Sequence, residues 1–201
     1  MHIPDGFLNS KISLSMIGVA VSVLGYSLAK VRAAVPALGP VATLATAGQG
    51  VGNMVGGLKR VLTNDGEQTL YKMGMVAALI LAMQMYDFPV GGGTSGHLLG
   101  GALAAIILGP FAGTLVMSLV LAIQMLFFLD GGLLALGANI VNMAVIGSLL
   151  AYYIYFFIKQ VAPAWVAIMI AAWASVVLAS LACALELSLS GTIPFTIVIT
   201  A

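Results

Sequence analysis

FAGTLVMSLVLAIQMLFFLDGGLLALGANIVNMAVIGSLLAYYIYFFIK, residues 111–159, decides the fold. Two apolar runs, 111–128 and 133–158, flank the short break Leu129-Asp130-Gly131-Gly132, and Asp130 is the one charged residue before Lys159. Each run is long enough for a helix across the hydrocarbon layer, which takes about 20 apolar residues. Neither alternates in the period-two pattern of a membrane barrel strand. The whole chain is of this kind: of 201 residues 62% are hydrophobic and 6% charged, with mean hydropathy +1.16, whereas a soluble domain carries about 25% charged residues. The fold class is therefore all-α, a polytopic helical membrane protein, read as one membrane domain over residues 1–201.

Working outward, further apolar runs at about 12–29, 73–86, 97–109 and 163–187 bring the expectation to six spans, with a partial seventh from about 192 to the end. Five of the seven basic residues, Lys30, Arg32, Lys59, Arg60 and Lys72, fall between the first two spans. The positive-inside rule makes that stretch cytoplasmic. Counting from it places the N-terminus, 87–96 and 129–132 outside and Lys159 inside. Residues 31–72 form an atypical connection, rich in Gly and broken by Pro36 and Pro40. It is expected to be a cytoplasmic loop with a surface-lying segment or a re-entrant hairpin. The closing SGTIPFTIVITA stops within an apolar run without a charged flank, so the C-terminal helix reads as truncated. MHIPDGFLNS has no Lys or Arg and does not resemble a signal peptide, which predicts a retained Met1 with a free amine.

Both histidines of the chain, His2 and His97, fall on the outer side by this count. A free terminus followed by His offers three nitrogens to one ion: the Met1 amine, the deprotonated His2 amide and the His2 imidazole. His97 is the one imidazole left to complete a plane. Four nitrogens in a square plane suit Ni²⁺ or Cu²⁺, whereas oxygen-rich octahedra suit Mg²⁺ or Mn²⁺. The bland alternative is two polar groups at a water boundary. His97 lies in PVGGGTSGHLLGG, residues 89–101. Here Gly91, Gly92 and Gly93 read as a loop that shapes a site, and Gly96, Gly100 and Gly101 as close-packing residues. Thr94 and Ser95 are candidates to hydrogen-bond an imidazole's second nitrogen. Asp5 is a candidate for the same service to His2, or else a turn residue of Pro4-Asp5-Gly6. Asn139 and Asn142, three apart, read first as partners between helices and second as groups reaching the site. Asp87, Asp130 and Glu186 sit near outer span ends and read as interfacial; Cys183 and most methionines read as packing.

Several function classes drop out. A formal charge of +1 supplies no basic patch for nucleic acid, and no G-x-x-x-x-G-K-[ST] occurs, so the chain cannot hydrolyse ATP through a P-loop. It is not expected to be an enzyme, and active transport would need a partner. Gly93-Thr94-Ser95-Gly96 reproduces the GxSG pattern of intramembrane serine proteases, yet no later histidine is present to act as base. A non-transport metal sensor or scaffold is the other alternative.

MHIPDGFL, FPVGGGTSGHLLGGALAAIILGP and DGGLLALGANIVNMAVIG together resemble the NikM/CbiM family, the substrate-capture (S) components of energy-coupling-factor transporters for nickel and cobalt. The resemblance covers residues 1–30 and about 75–195, and the GTSGHLL form leans toward the nickel type. It implies an S-component-like bundle of seven helices with the N-terminus returned into an outward pocket. It also implies Met1, His2 and His97 as metal ligands, Ni²⁺ or Co²⁺ as transported substrate without an organic cofactor, and a multi-pass location in a prokaryotic cell membrane. The implied partners are a transmembrane coupling (T) subunit, cytoplasmic ATP-binding cassette ATPases and a small accessory membrane subunit.

Overall fold

A computed structural model describes residues 2–34, 64–86, 88–90 and 94–192, without the side chains of 64, 65, 67, 88–90 and 94–96. In chain order these form α1 (Ser10–Ala34), α2 (Asn64–Gln84), the strands β1 (Phe88–Val90) and β2 (Thr94–Gly96), α3 (Gly101–Leu108), α4 (Pro110–Phe128), α5 (Leu136–Ile158) and α6 (Ala164–Leu189). The molecule is a helical membrane bundle. Its helices α1, α4, α5 and α6 are long and apolar enough to cross a membrane. Large apolar side chains such as Leu14, Val21, Phe127 and Trp173 point outward, as expected where the surroundings are lipid.

The helix ends depart from the apolar runs in two places. The second helix, expected at 73–86, begins at Asn64, so 64–72 of the supposed loop is its polar first half. Hydropathy averaging hides this half because its sequence, NDGEQTLYK, is mostly polar. Residues 35–63, where the surface or re-entrant segment was expected, and the stub 193–201 lie outside the described residues.

The expected continuous span 97–109 is instead an irregular run, 97–100, followed by an 8-residue helix. That helix rises only about 12 Å. The break has a local cause: Gly100 stands at φ +75°, and a Cβ there would come within 2.7 Å of Ile80 Cγ2. Gly101 lets α3 lie backbone to backbone on α5, since a Cβ on it would meet the Gly147 carbonyl at 2.5 Å. Irregular backbone at this depth is tolerated because protein surrounds it. The strands form a short antiparallel hairpin pairing Phe88 with Gly96 and Val90 with Thr94, where only a Gly-rich loop was expected.

α4 is the central element. It packs against α1, α2, α3 and α5, and half of its most apolar stretch is buried, against 17% for α1. Val116, Met117, Val120 and Leu121 of α4 meet Ile80, Leu99, Met143 and Ala144 in the core. α6 packs on α5, and its buried residues Ala167, Ala171, Ser175 and Ala179 recur every four residues, the small-residue ridge that lets membrane helices approach. The backbone widens to π-type bonding at Gln124–Phe128 and Ile140–Leu150. Tyr26 and Phe111 stack edge to face at 5.6 Å at the end opposite the histidines, where Lys30, Leu108 and Pro110 also gather.

Candidate metal site

The N-terminal segment lies across one end of the bundle and is tied down along its length. Asn139, in the first turn of α5, holds Ile3 on both sides: its Oδ1 accepts from the Ile3 N–H at 2.8 Å and its Nδ2 donates to the Ile3 carbonyl at 3.2 Å. The same carbonyl accepts from the Gly132 N–H at 3.0 Å. Ile3 itself is 2% exposed, packed among Ala135, Ala138, Cys183 and Leu187. Farther along, the Thr192 hydroxyl donates to the Phe7 carbonyl and the Asn9 N–H donates to Ser190 Oγ, fastening the segment to the end of α6.

These ties place His2 over the turn 129–132. Its Nδ1 lies 3.2 Å from the Asp130 carbonyl and 3.3 Å from Asp130 Oδ1, and its side chain is 6% exposed. Gly131 makes room at φ +91°, where a Cβ would stand 2.9 Å from Asn139 Nδ2 and 3.3 Å from His2 Nδ1. Burial pushes the imidazole below its ordinary value of 6.5; the Asp130 carboxylate and carbonyl oppose the shift, and His97 adds to it. His2 is therefore held neutral, the state in which a ring nitrogen can bind a metal. Its Nε2 is buried and has no hydrogen-bond partner among the described residues.

His97 approaches from the other side. It follows β2 directly, at the head of the irregular run, and its ring sits edge-on to that of His2 with centroids 5.1 Å apart. Its Nδ1 lies 3.0 Å from the Leu98 carbonyl. Two residues on, the Leu99 carbonyl accepts a hydrogen bond from the buried Gln84 Nε2 at 2.7 Å. Among the described residues no three His, Cys, Asp or Glu side chains come together as a metal-binding group. Two imidazoles side by side are what the bundle offers here.

The remaining site candidates divide. Asn139 reaches the segment beside His2, whereas Asn142 joins helices, donating to Glu186 Oε2 at 2.8 Å. Asp5 neither faces the His2 ring nor serves only its own turn. Its carboxylate accepts from the N–H groups of Leu133, Leu134 and Ala135 at 2.9, 2.8 and 3.3 Å, capping the turn that leads into α5. Asp130 occupies the place beside His2 expected for Asp5. Glu186 is not interfacial: it is 4% exposed and is turned toward Asn142 of α5. Met1, Asp87 and Gly91 to Gly93 lie outside the described residues, as do the side chains of Thr94 and Ser95. Sequence reasoning missed the roles of Asp130 and Gly131 in receiving His2; the signal was the charged, glycine-paired break between two apolar runs.

Comparison with known proteins agrees with this architecture. Residues 38–201 match the family model described as CbiM, cobalt uptake substrate-specific transmembrane region. A putative fused nickel transport protein NikMN from Archaeoglobus fulgidus is 37% identical over 179 residues, covering 86% of this chain and 50% of its own. A putative metal transport protein from Haloquadratum walsbyi is 35% identical over 162 residues, 80% of this chain and 60% of its own. The chain thus spans 50–60% of the length of these two relatives. The crystal structure of a truncated transition metal transporter superposes with a TM-score of 0.72 at 30% identity, over 93% of this chain and 74% of that one. Helical membrane architecture, matched motifs and relatives named for nickel and cobalt transport converge, and the chain belongs to the CbiM family of nickel and cobalt transport proteins.

Proposed function

We propose that this chain is the metal-capturing membrane subunit of an ATP-driven nickel or cobalt uptake system. The observation that carries it is the edge-to-face pair of His2 and His97, 5.1 Å between centroids, at the end of the bundle where the N-terminal segment is pinned. In the proposed complex the Met1 amine, the deprotonated His2 amide, His2 Nδ1 and a His97 ring nitrogen surround the ion. The amine and amide close a five-membered ring, the amide and Nδ1 a six-membered one. To close the second ring, the imidazole turns about its Cβ–Cγ bond and Nδ1 leaves Asp130 for the ion. Asp130 is then the group that holds the ring before the metal arrives. A planar set of four nitrogens favours Ni²⁺ over Co²⁺.

In this proposal the chain has six spans plus a partial seventh, with 97–108 crossing as an irregular run plus short helix, and with the N-terminus outside. Release needs a transmembrane coupling subunit, cytoplasmic ATPases and a small accessory membrane subunit. The protease reading lacks a base, since no histidine follows His97 in the sequence.

Equilibrium dialysis of the purified chain against Ni²⁺ and Co²⁺ tests the proposal. One ion per chain, held more weakly in His97→Ala and as tightly as in the parent in Ser95→Ala, is the expected outcome. No binding, or binding indifferent to His97, contradicts it. With the partner subunits added in vesicles, ATP-dependent nickel accumulation should follow the same pattern.

A further inference from the structure

Deep in the bundle, two glutamines form a relay that the metal site does not touch. Gln84, the last residue of α2, and Gln124, in α4, are 3% and 2% exposed. Gln124 Nε2 donates to Gln84 Oε1 at 3.0 Å, and Gln84 Nε2 donates to the Leu99 carbonyl at 2.7 Å. Their surroundings are apolar, with Ile80, Leu99, Val120 and Leu121 in the same core. Gln124 Oε1 is buried and has no partner among the described residues. An orphaned acceptor opposes folding, and apolar residues of similar size would fill the space without one. Packing therefore does not account for the pair.

Connectivity does. Leu99 lies two residues past His97 on the irregular run, so the Gln84 bond fixes how far that run reaches toward the bundle end. The backbone of Gln124 serves the other side: its carbonyl accepts from the Leu129 N–H and, at 3.2 Å, from the Asp130 N–H. Asp130 receives His2. Gln124 thus stands at the junction of the two limbs, its side chain tied through Gln84 to the His97 run and its carbonyl to the turn beneath His2. It also begins the π-widened turn at the end of α4, a distortion frequent near functional sites.

We propose that Gln84 and Gln124 are positioning residues for the metal site, setting the distance between His97 and the His2 turn through the Leu99 carbonyl and the Gln124 carbonyl. This rests on the function proposed above, with His97 as one ligand. Neither glutamine touches the ion. Removing the relay should leave the three N-terminal nitrogens in place and let the fourth ligand drift.

The test uses the full chain in detergent with nickel ion alone, in four forms: parent, His97→Ala, Gln84→Met and Gln124→Met. Visible absorption is followed during titration, and hydrogen exchange is measured on the metal-free forms. Gln84→Met should weaken binding about 10–100-fold, the range seen when an outer contact of a metal ligand is lost. Its nickel band should move toward that of His97→Ala. Exchange in peptides covering 97–104 should rise about tenfold while that of 2–9 stays at the parent rate, as local opening would produce. Gln124→Met should move the same quantities by less.

Parent affinity and an unmoved band in Gln84→Met overturn the proposal. So does weakened binding with an unmoved band and faster exchange throughout, which is general loosening. If Gln84→Met does not fold, Gln124→Met decides on the same criteria. If the parent fails to bind nickel, the function itself falls and the metal role of the relay with it; the exchange data then show separately whether the tie to 97–104 exists.

Discussion

The two limbs that bring the histidines together are built differently. Residues 2–9 have little regular structure, yet side chains and loop amides hold them at His2, Ile3, Asp5, Phe7 and Asn9. The run 97–100 enters from a hairpin and is held by the Gln84 bond to Leu99 and by packing of Leu99 and Gly100 against the core. The N-terminal limb spreads its fixation over many modest bonds, each worth about 1 kcal/mol net. Among the described residues the His97 limb concentrates it at Leu99 and Gly100. Preformation of the first limb lowers the ordering cost of binding, and the second limb is the one whose placement a single change can shift.

The largest effect that would break this contrast is the loss of His2. His2→Ala removes an imidazole from the site and should reduce nickel affinity by more than the roughly 10–100-fold expected of any outer contact. Equal loss from His2→Ala and from an outer-contact variant, in the same titration, would deny His2 its special place.

Asn139→Leu comes next, because one amide secures both polar groups of Ile3. The buried Ile3 N–H is orphaned, at about 1–3 kcal/mol, while the Ile3 carbonyl keeps only its bond from the Gly132 N–H. Thermal unfolding should move down, and nickel affinity should fall with it. If the melting temperature drops while affinity stays, fixation of the N-terminal limb is not what prepares the site.

Gly131→Ala sharpens the comparison at the floor of the site. A side chain at φ +91° is strained by about 1–3 kcal/mol, and its Cβ would crowd Asn139 Nδ2 and His2 Nδ1. Binding should weaken, with hydrogen exchange rising at 2–5 and not at 97–104. Faster exchange at 97–104 instead would mean that the limbs are not separately held.

The smallest effect concerns acid. Because burial lowers the His2 value in the folded chain, the folded state binds this proton less readily than the unfolded one. Stability from this group is present above the ordinary 6.5 and is lost as pH falls through the lower folded value. Nickel binding, which needs a neutral ring and also releases the protons of the Met1 amine and the His2 amide, should weaken as pH falls and do so more steeply over this range. In Asp130→Asn the raising influence of the carboxylate is gone, so the acid limb of the nickel-binding profile should move to lower pH. A shift to higher pH would mean that Asp130 does not act on His2 through its charge.

The long helices were legible in the sequence because membrane spans announce themselves by apolar length: 111–128, 133–158 and 163–187 match α4, α5 and α6 to within a few residues. The start of α2 was hidden by its charged first turns, and the break at Gly100 by leucines on both sides. The shared end of His2 and His97 followed from the placement of basic residues. The partners of each did not, since Asp5 and Asp130 are both acidic turn residues next to glycine, and only the path of the chain decides which one meets the imidazole. Glu186 was misread for a similar reason: it is buried and accepts from Asn142 of α5, a contact between residues 44 positions apart that depends on how α6 packs on α5. Gln84 and Gln124 stood inside apolar runs without a motif, and their pairing depends on how α2 packs against α4.

The measurement that bears most directly on the proposed chelate is a Ni²⁺ titration followed by visible absorption, comparing the protein bearing a free Met1 amine with one in which that amine is acetylated. A yellow square-planar band in the first form and its absence in the second is the predicted result, since acetylation removes the Met1 amine as a ligand. Equal bands in both forms, or none in either, would contradict it.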